Sequence, residues 1–195
     1  MRLLLQKPGA KQDPELSEQL FRIEEYVNMV LQYLRVDGDN DLVVQWNDLD
    51  LMVRQAVHRY AGMFIRKKLS LSYEPLKRKV LTDEKWLVFV VEQILSNAVK
   101  YTGQGGISIY LEPGPDTVLA IRDTGTGIAL EDQPRIFEKG FTGYNGHADK
   151  RSTGIGLYLC RRILNRLSHE ITVESEPGKG TIMRIWFAKE RLEVE

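Results

Sequence analysis

The chain has 195 residues, with 27 Lys and Arg balanced by 27 Asp and Glu. That length supports one well-filled core plus a smaller appendage, and the balanced charge offers no excess positive field to attract nucleic acid. The single cysteine, Cys160, excludes an internal disulfide or a Cys-based zinc cluster within the chain and fits a reducing, cytoplasmic compartment.

The opening MRLLLQKPGAKQ turns polar too soon for a signal peptide, and no apolar run approaches the roughly 18 to 20 residues that span a bilayer. MRLLLQ reads as an apolar stub ended by Pro8-Gly9. Asp13-Pro14 is a helix start, with Asp as N-cap and Pro in the first helical position. In the helix that follows, Leu16, Leu20, Ile23, Val27, Val30 and Leu34 recur at alternating steps of four and three. This heptad-type stripe suits a helix hairpin or bundle, and Phe21, Tyr26, Met29 and Leu31 widen it. A turn-rich acidic break over 36–41 marks a boundary, giving a helical segment 1–37 and a second domain 38–195.

Within the second domain the pattern predicts a strand at 42–46, a helix over 48–67, and extended stretches at 69–74 and 78–81. A helix follows from Thr82-Asp83 to Tyr101, then strands at 106–111 and 117–123. A Gly-rich charged stretch leads to a helix over 154–167 and two last strands, 170–176 and 181–188, joined by Pro177-Gly178-Lys179-Gly180. Strands and helices mix without regular βαβ alternation, so the expected class is a two-layer α/β (α+β) sandwich.

Four stretches carry candidate chemistry. On a helix, Gln93, Asn97, Lys100 and Tyr101 share one face. Asn97 offers a hard oxygen acceptable to Mg²⁺, Lys100 can lie along a phosphate, and Tyr101 can flank a base or ribose. The same stripe also fits a solvated helix face. By strand alternation Asp123 shares a face with Leu119 and Ile121, and a carboxylate on an apolar side needs a partner. The exocyclic amine of adenine fits, whereas guanine presents an oxygen there. Gly125 and Gly127 permit tight turning and close ligand approach, although an ordinary Asp-x-Gly turn has the same letters. Ser152-Thr153-Gly154-Ile155-Gly156-Leu157 opens a helix, with Ser or Thr as cap and free N–H groups as an anion site for phosphates. Pro134 to Glu138 precede a glycine-containing charged segment, 139–151, which has few apolar anchors and reads as a mobile lid with Phe137 as its hinge-side anchor. A plain surface loop would look similar.

In this order and spacing the four stretches resemble the N, G1, F and G2 boxes of the GHKL superfamily, and Gly178-Lys179-Gly180-Thr181 resembles the closing turn of the same domain. The resemblance spans residues 42–189 and implies a Bergerat-type fold holding ATP between sheet and lid. It puts Asn97 on Mg²⁺, Asp123 on adenine with help from the Thr181 hydroxyl, and Gly154 and Gly156 near phosphate. Lys100, Tyr101, Gly125, Gly127, Ile128, Phe137, Thr153, Ile155 and Leu157 complete the implied nucleotide site.

Within the superfamily, ATPases carry a Glu four residues before the Mg²⁺-binding Asn as a water-activating base. Here Gln93 stands there, and an amide has no useful basicity, so hydrolysis by activated water is not supported. Glu92 lies roughly 100° around the helix and reads as a packing carboxylate. The N-terminal helix resembles the second helix of the dimerisation and phosphotransfer hairpin of bacterial sensor histidine kinases. That likeness implies homodimerisation, a response-regulator partner, a membrane-anchored parent protein and a phosphoacceptor histidine before Met1. His58 lacks the acidic neighbour and Thr-Pro of an acceptor site, His147 lies in the lid, and His169 precedes Glu170 but at a helix-to-strand junction. Gln93, Asn97 and Lys100 are then the catalytic set. Gln93 stands where many such kinases have Asn, and Thr142 near where many have an Arg that reaches the terminal phosphate; Lys139, Lys150 or Arg151 are the substitutes at hand. Glu92 to Ala98 with Glu138 to Gly143 look similar to kinases that sense envelope stress or antimicrobial peptides beside ABC transporters. Alternatives are a GHKL serine kinase of the anti-sigma type, against which the heptad helix argues, and a non-catalytic nucleotide-sensing module.

Overall fold

The computed structural model describes residues 14–36, 42–143 and 153–188. The MRLLLQ stub, most of the acidic break and lid residues 144–151 lie outside them. The chain divides into two compact units, Met1–Gly38 and Asp39–Glu195.

In the first unit, helix α1 (Pro14–Arg35) begins at the proline, whose missing N–H costs nothing in a first turn. It exposes Leu16, Ile23, Val27, Val30 and Leu34 from its stripe, together with Tyr26 and Leu31. An apolar surface of that length on one helix face is unusual for water-facing structure.

The second unit is a mixed α/β two-layer sandwich. Strand β1 (Gln45–Asp48) lies three residues later than the pattern predicts, because its partner is β3 (Lys79–Thr82) and the antiparallel register pairs Gln45 with Thr82. Asp48 then caps helix α2 (Leu49–Lys67), accepting from the Asp50 and Leu51 N–H groups. Strand β2 (Ser70–Tyr73) precedes β3, and Asp83 caps helix α3 (Glu84–Tyr101). Strands β4 (Gly106–Leu111) and β5 (Val118–Asp123), helix α4 (Gly156–Arg166), and strands β6 (Glu170–Glu176) and β7 (Gly180–Trp186) complete the domain.

The main sheet runs β2-β4-β5-β7-β6, with β2 parallel to β4 and every other pair antiparallel. Helix α3 packs against α2, α4 and β5. It therefore buries Leu87, Val90, Val91, Ile94, Leu95 and Val99 over nearly its whole circumference, as a central helix must. The opposite sheet face is polar: Arg184 pairs with Glu112 at 2.5 Å and with Glu174 at 2.8 Å. Among the described residues no helix is long and apolar enough to cross a membrane.

His169 locks the end of the sheet to α3's entry. Its ring is 4% exposed, stands edge-on to Phe187, accepts the Ala188 N–H at Nδ1 (3.2 Å) and lies 3.1 Å from the Thr82 hydroxyl at Nε2. Because Nδ1 accepts, Nε2 carries the proton, so the ring is held neutral. Burial pushes its pKa down to about 4 from an ordinary 6.5. The unfolded chain therefore binds the extra proton first, so this stabilisation is complete above pH 6.5 and lost as pH falls toward 4. Urea denaturation should show about 2 to 3 kcal/mol of acid sensitivity over that window, and the His169→Gln variant should be less stable at pH 7.5 but lack this component of the acid slope.

Candidate functional site

The ends of β5, β6 and β7 meet beside the end of α3, and the start of α4 abuts the middle of that helix. Asp123 is the last residue of β5, and its side chain is on the core face, 7% exposed, as strand alternation requires. Its Oδ1 accepts the Gly125 N–H at 2.8 Å, and the Thr181 N–H also favours the charged carboxylate. Burial lifts its pKa above the ordinary carboxylate range, and the two N–H groups offset part of that rise. Asp123 faces Thr181 in the β5–β7 register, and Thr181 faces Ser175 in the β6–β7 register. Cross-strand partners share a face, so the three form a row of polar side chains across neighbouring strands.

The loop after β5 is tied down on both sides. The Thr126 N–H donates to the Tyr101 carbonyl at 3.2 Å, and the Ile128 N–H donates to Ser175 Oγ at 2.8 Å. A side chain at Gly125 would meet the Tyr101 carbonyl oxygen at 2.6 Å. Gly127 has φ +69° and packs its α-carbon against the Glu176 carbonyl, so both backbone and space demand glycine. Gln133 Nε2 spans the Ile128 carbonyl at 3.1 Å and the Ser175 carbonyl at 2.7 Å, closing the loop onto β6.

Gln93, Asn97, Lys100 and Tyr101 are all part-exposed on α3, in the face that the helical spacing predicts. The Gln93 amide oxygen lies where a Cβ at Gly156 would come within 2.8 Å of it, so α3's polar face abuts the first turn of α4. Glu92, one position round, pairs instead with Arg59 of α2 at 3.4 Å. Its carboxylate belongs to helix packing. Lys67, at the end of α2, donates to the carbonyls of Val99 (2.5 Å), Lys100 (3.1 Å) and Thr102 (3.1 Å). One ammonium thus satisfies the orphan carbonyls and the negative dipole end of α3.

The expected Ser or Thr cap of α4 is absent. The N-cap position is Ile155, with no side-chain cap bond, and Thr153 Oγ1 receives the Ile155 N–H at 3.4 Å one step too early. The reason is Gly154, which at φ +64° turns the chain against Gly140 and Phe141 and carries Thr153 away from the helix axis. The Gly140 N–H donates to the Gly154 carbonyl at 3.0 Å, so the two ends of the lid segment meet. Phe137 is buried, with the Arg161 guanidinium 5.5 Å over its ring. Ile155 and Leu157 are half-buried, as are Ile128 and Thr142. His147, Lys150 and Arg151 lie outside the described residues.

Sequence reasoning missed Lys67, Gln133 and Ser175. Ser175 was within reach: a hairpin closing at Glu176 and Gly180 pairs residue 175 with Thr181. The Lys67 contact depends on α2 lying against α3, which no local pattern announces. Gly127→Ala should cost about 2 kcal/mol or more in urea denaturation. Gly156→Ala should cost less, because its methyl meets only the movable end of Gln93.

The family model for "Histidine kinase-, DNA gyrase B-, and HSP90-like ATPase" matches residues 82–191. Sensor protein BceS of Bacillus subtilis is 37% identical over 175 residues, covering 89% of this chain and 52% of that protein. The chain spans about half the length of the curated relatives it matches. Among solved structures, full-length ShkA in complex with AMPPNP superposes with a TM-score of 0.71 at 23% identity, covering 94% of this chain and 40% of that one. Histidine kinase ThkA in complex with response regulator protein TrrA gives 0.69 at 20% identity, covering 97% and 55%. At those identities the two structures establish a shared fold. The family match takes in more than half of the sequence and includes α3, the β5 loop, α4 and the closing hairpin. The chain therefore belongs to the histidine kinase-, DNA gyrase B- and HSP90-like ATPase family.

Proposed function

We propose that this chain is the ATP-binding catalytic part of a two-component sensor histidine kinase. It holds Mg·ATP, passes the γ-phosphoryl to a histidine on a helical hairpin, and so feeds a response-regulator receiver domain. The observation that carries the reading is Asp123: a buried carboxylate at a strand end, with Thr181 opposite it and the following loop tied to the end of α3. A buried acceptor pair of this kind is stabilised by a ligand that brings donors, and the adenine amine is such a donor.

The remaining roles are assigned on the same reading, as the family resemblance implies them. Asn97 supplies an amide oxygen for Mg²⁺, which otherwise takes phosphate oxygens and water. When bound, the ion neutralises charge on the phosphates. Lys100 lies along the phosphates and Tyr101 flanks the nucleoside. Gly125, Gly127 and Ile128 border the base, Phe137 anchors the lid, and Thr153 to Leu157 bring the uncapped N–H groups of α4 toward phosphate. Gln93 orients the phosphate end without acting as a base, so catalysis rests on positioning and charge neutralisation. His169 is unsuited as an acceptor because it is buried with both ring nitrogens engaged.

The exposed stripe of α1 is the basis for homodimerisation through the hairpin, in the cytoplasmic part of a membrane-anchored sensor. ThkA was solved with a response regulator, which supports that class of partner here. The likeness of Glu92 to Ala98 and Glu138 to Gly143 to kinases that sense envelope stress is the basis for an ABC-transporter partner in this reading.

Incubation with γ-labelled ATP and a helical-hairpin fragment carrying the histidine should give acid-labile label on that fragment. Acid-stable label on serine would indicate the anti-sigma type of kinase, and binding without transfer a sensing module. Asp123→Asn should weaken ATP binding on the order of ten-fold or more, read by calorimetry; unchanged affinity would refute the pocket assignment.

A further inference from the structure

Ser175 stands outside the residues assigned to the nucleotide, yet its hydroxyl is the centre of a fully committed hydrogen-bond set. A serine hydroxyl has one proton and two acceptor lone pairs. Ser175 Oγ lies 2.8 Å from the Ile128 N–H, 2.8 Å from the Gly180 carbonyl oxygen and 2.9 Å from Thr181 Oγ1. The Ile128 contact uses one lone pair. A carbonyl can only accept, so the serine proton goes to Gly180. The Thr181 contact is then attractive only if Thr181 donates into the second lone pair.

That bookkeeping fixes a neighbour. With its single proton committed to Ser175, the Thr181 hydroxyl has only lone pairs to offer the base site. Thr181 is 9% exposed and sits directly opposite Asp123, itself an acceptor. Asp123, Thr181 and Ser175 lie in one row on β5, β7 and β6. Gln133 holds the same spot from behind through the Ser175 carbonyl at 2.7 Å.

We propose that Ser175 is a specificity-determining positioning residue: by fixing the Thr181 hydroxyl as an acceptor, it makes the pocket refuse purines that carry an oxygen in place of adenine's amine. The proposal rests on the ATP reading of the site and deepens it. Without Ser175 the Thr181 hydroxyl rotates freely and can donate to such an oxygen, so discrimination weakens even though Asp123 is untouched. A residue that merely stabilised the hairpin would change affinity for both bases alike.

The test compares Mg·ATP with Mg·ITP by calorimetry on the 195-residue chain; inosine keeps adenine's outline but has an oxygen for the amine and a proton on N1. Ser175→Ala should lower the preference for ATP over ITP roughly five-fold. Ser175→Cys, slightly larger and a weaker donor and acceptor, should lower it in the same direction and serves if the alanine variant does not fold. Ser175→Thr should keep the wild-type preference. In a Thr181→Val background, Ser175→Ala should no longer change the ratio. An unchanged ratio in both the alanine and cysteine variants overturns the proposal, and so does a shift that persists undiminished beside Thr181→Val. If Asp123→Asn also binds ATP as wild type does, the nucleotide pocket itself is wrong and the Ser175 role falls with it.

Discussion

Asp123 is a carboxylate that the sheet forces to face the core. Its strand alternates, its neighbours Leu119 and Ile121 are fully buried on the same side, and nothing about β5 lets it turn outward. An unpartnered buried carboxylate costs several kcal/mol, so the surrounding backbone is arranged to donate. The Gly125 N–H does so from the loop, and the Thr181 N–H on β7 adds a favourable dipole. For both to reach it, the β5 loop must fold back on the end of α3 and on the closing hairpin. That explains why Gly125 touches the Tyr101 carbonyl and Gly127 touches Glu176. The glycines of this region follow from one constraint: main chain must approach main chain around a buried charge.

The second organising contact set is around α3. This helix is the hub of the core, and both its ends are fixed by side chains. Asp83 caps the start, while Lys67 reaches from α2 to three carbonyls at the finish. Between them, Arg59 and Glu92 tie the helix to α2 and turn the adjacent residue, Gln93, toward α4. The polar face that carries Asn97 and Lys100 is thereby held rigidly at one edge of the sheet. The start of α4 is treated in the opposite way. It lacks a side-chain cap, and Gly154 directs Thr153 away from it. Backbone N–H groups at an uncapped helix start favour an anion, so the rigid and the open elements are complementary for a charged ligand.

Most of the architecture was legible in the letters, since period and punctuation agreed. Strands 106–111 and 170–176 are found as the pattern has them, and Asp48 and Asp83 mark the two helix starts. The short strand after the acidic break was misplaced because its ends are set by pairing with Lys79 to Thr82, not by its own residues. The expected cap on α4 failed for a similar reason: Thr153 has the right chemistry, but a positive φ at Gly154 moves it off the helix.

By itself the sequence determined the class of the fold, the heptad stripe, the core-facing position of Asp123 and the polar helix face that carries Gln93 and Asn97. Each of these depends on residue type and on spacing within one element. What only the tertiary structure decided is how those elements meet. The Lys67 clamp, the Arg59–Glu92 pair, the Gln93–Gly156 contact and the Asp123–Thr181–Ser175 row all join residues far apart in the chain. Their partners are chosen by sheet register and helix packing, and local propensity carries no information about either.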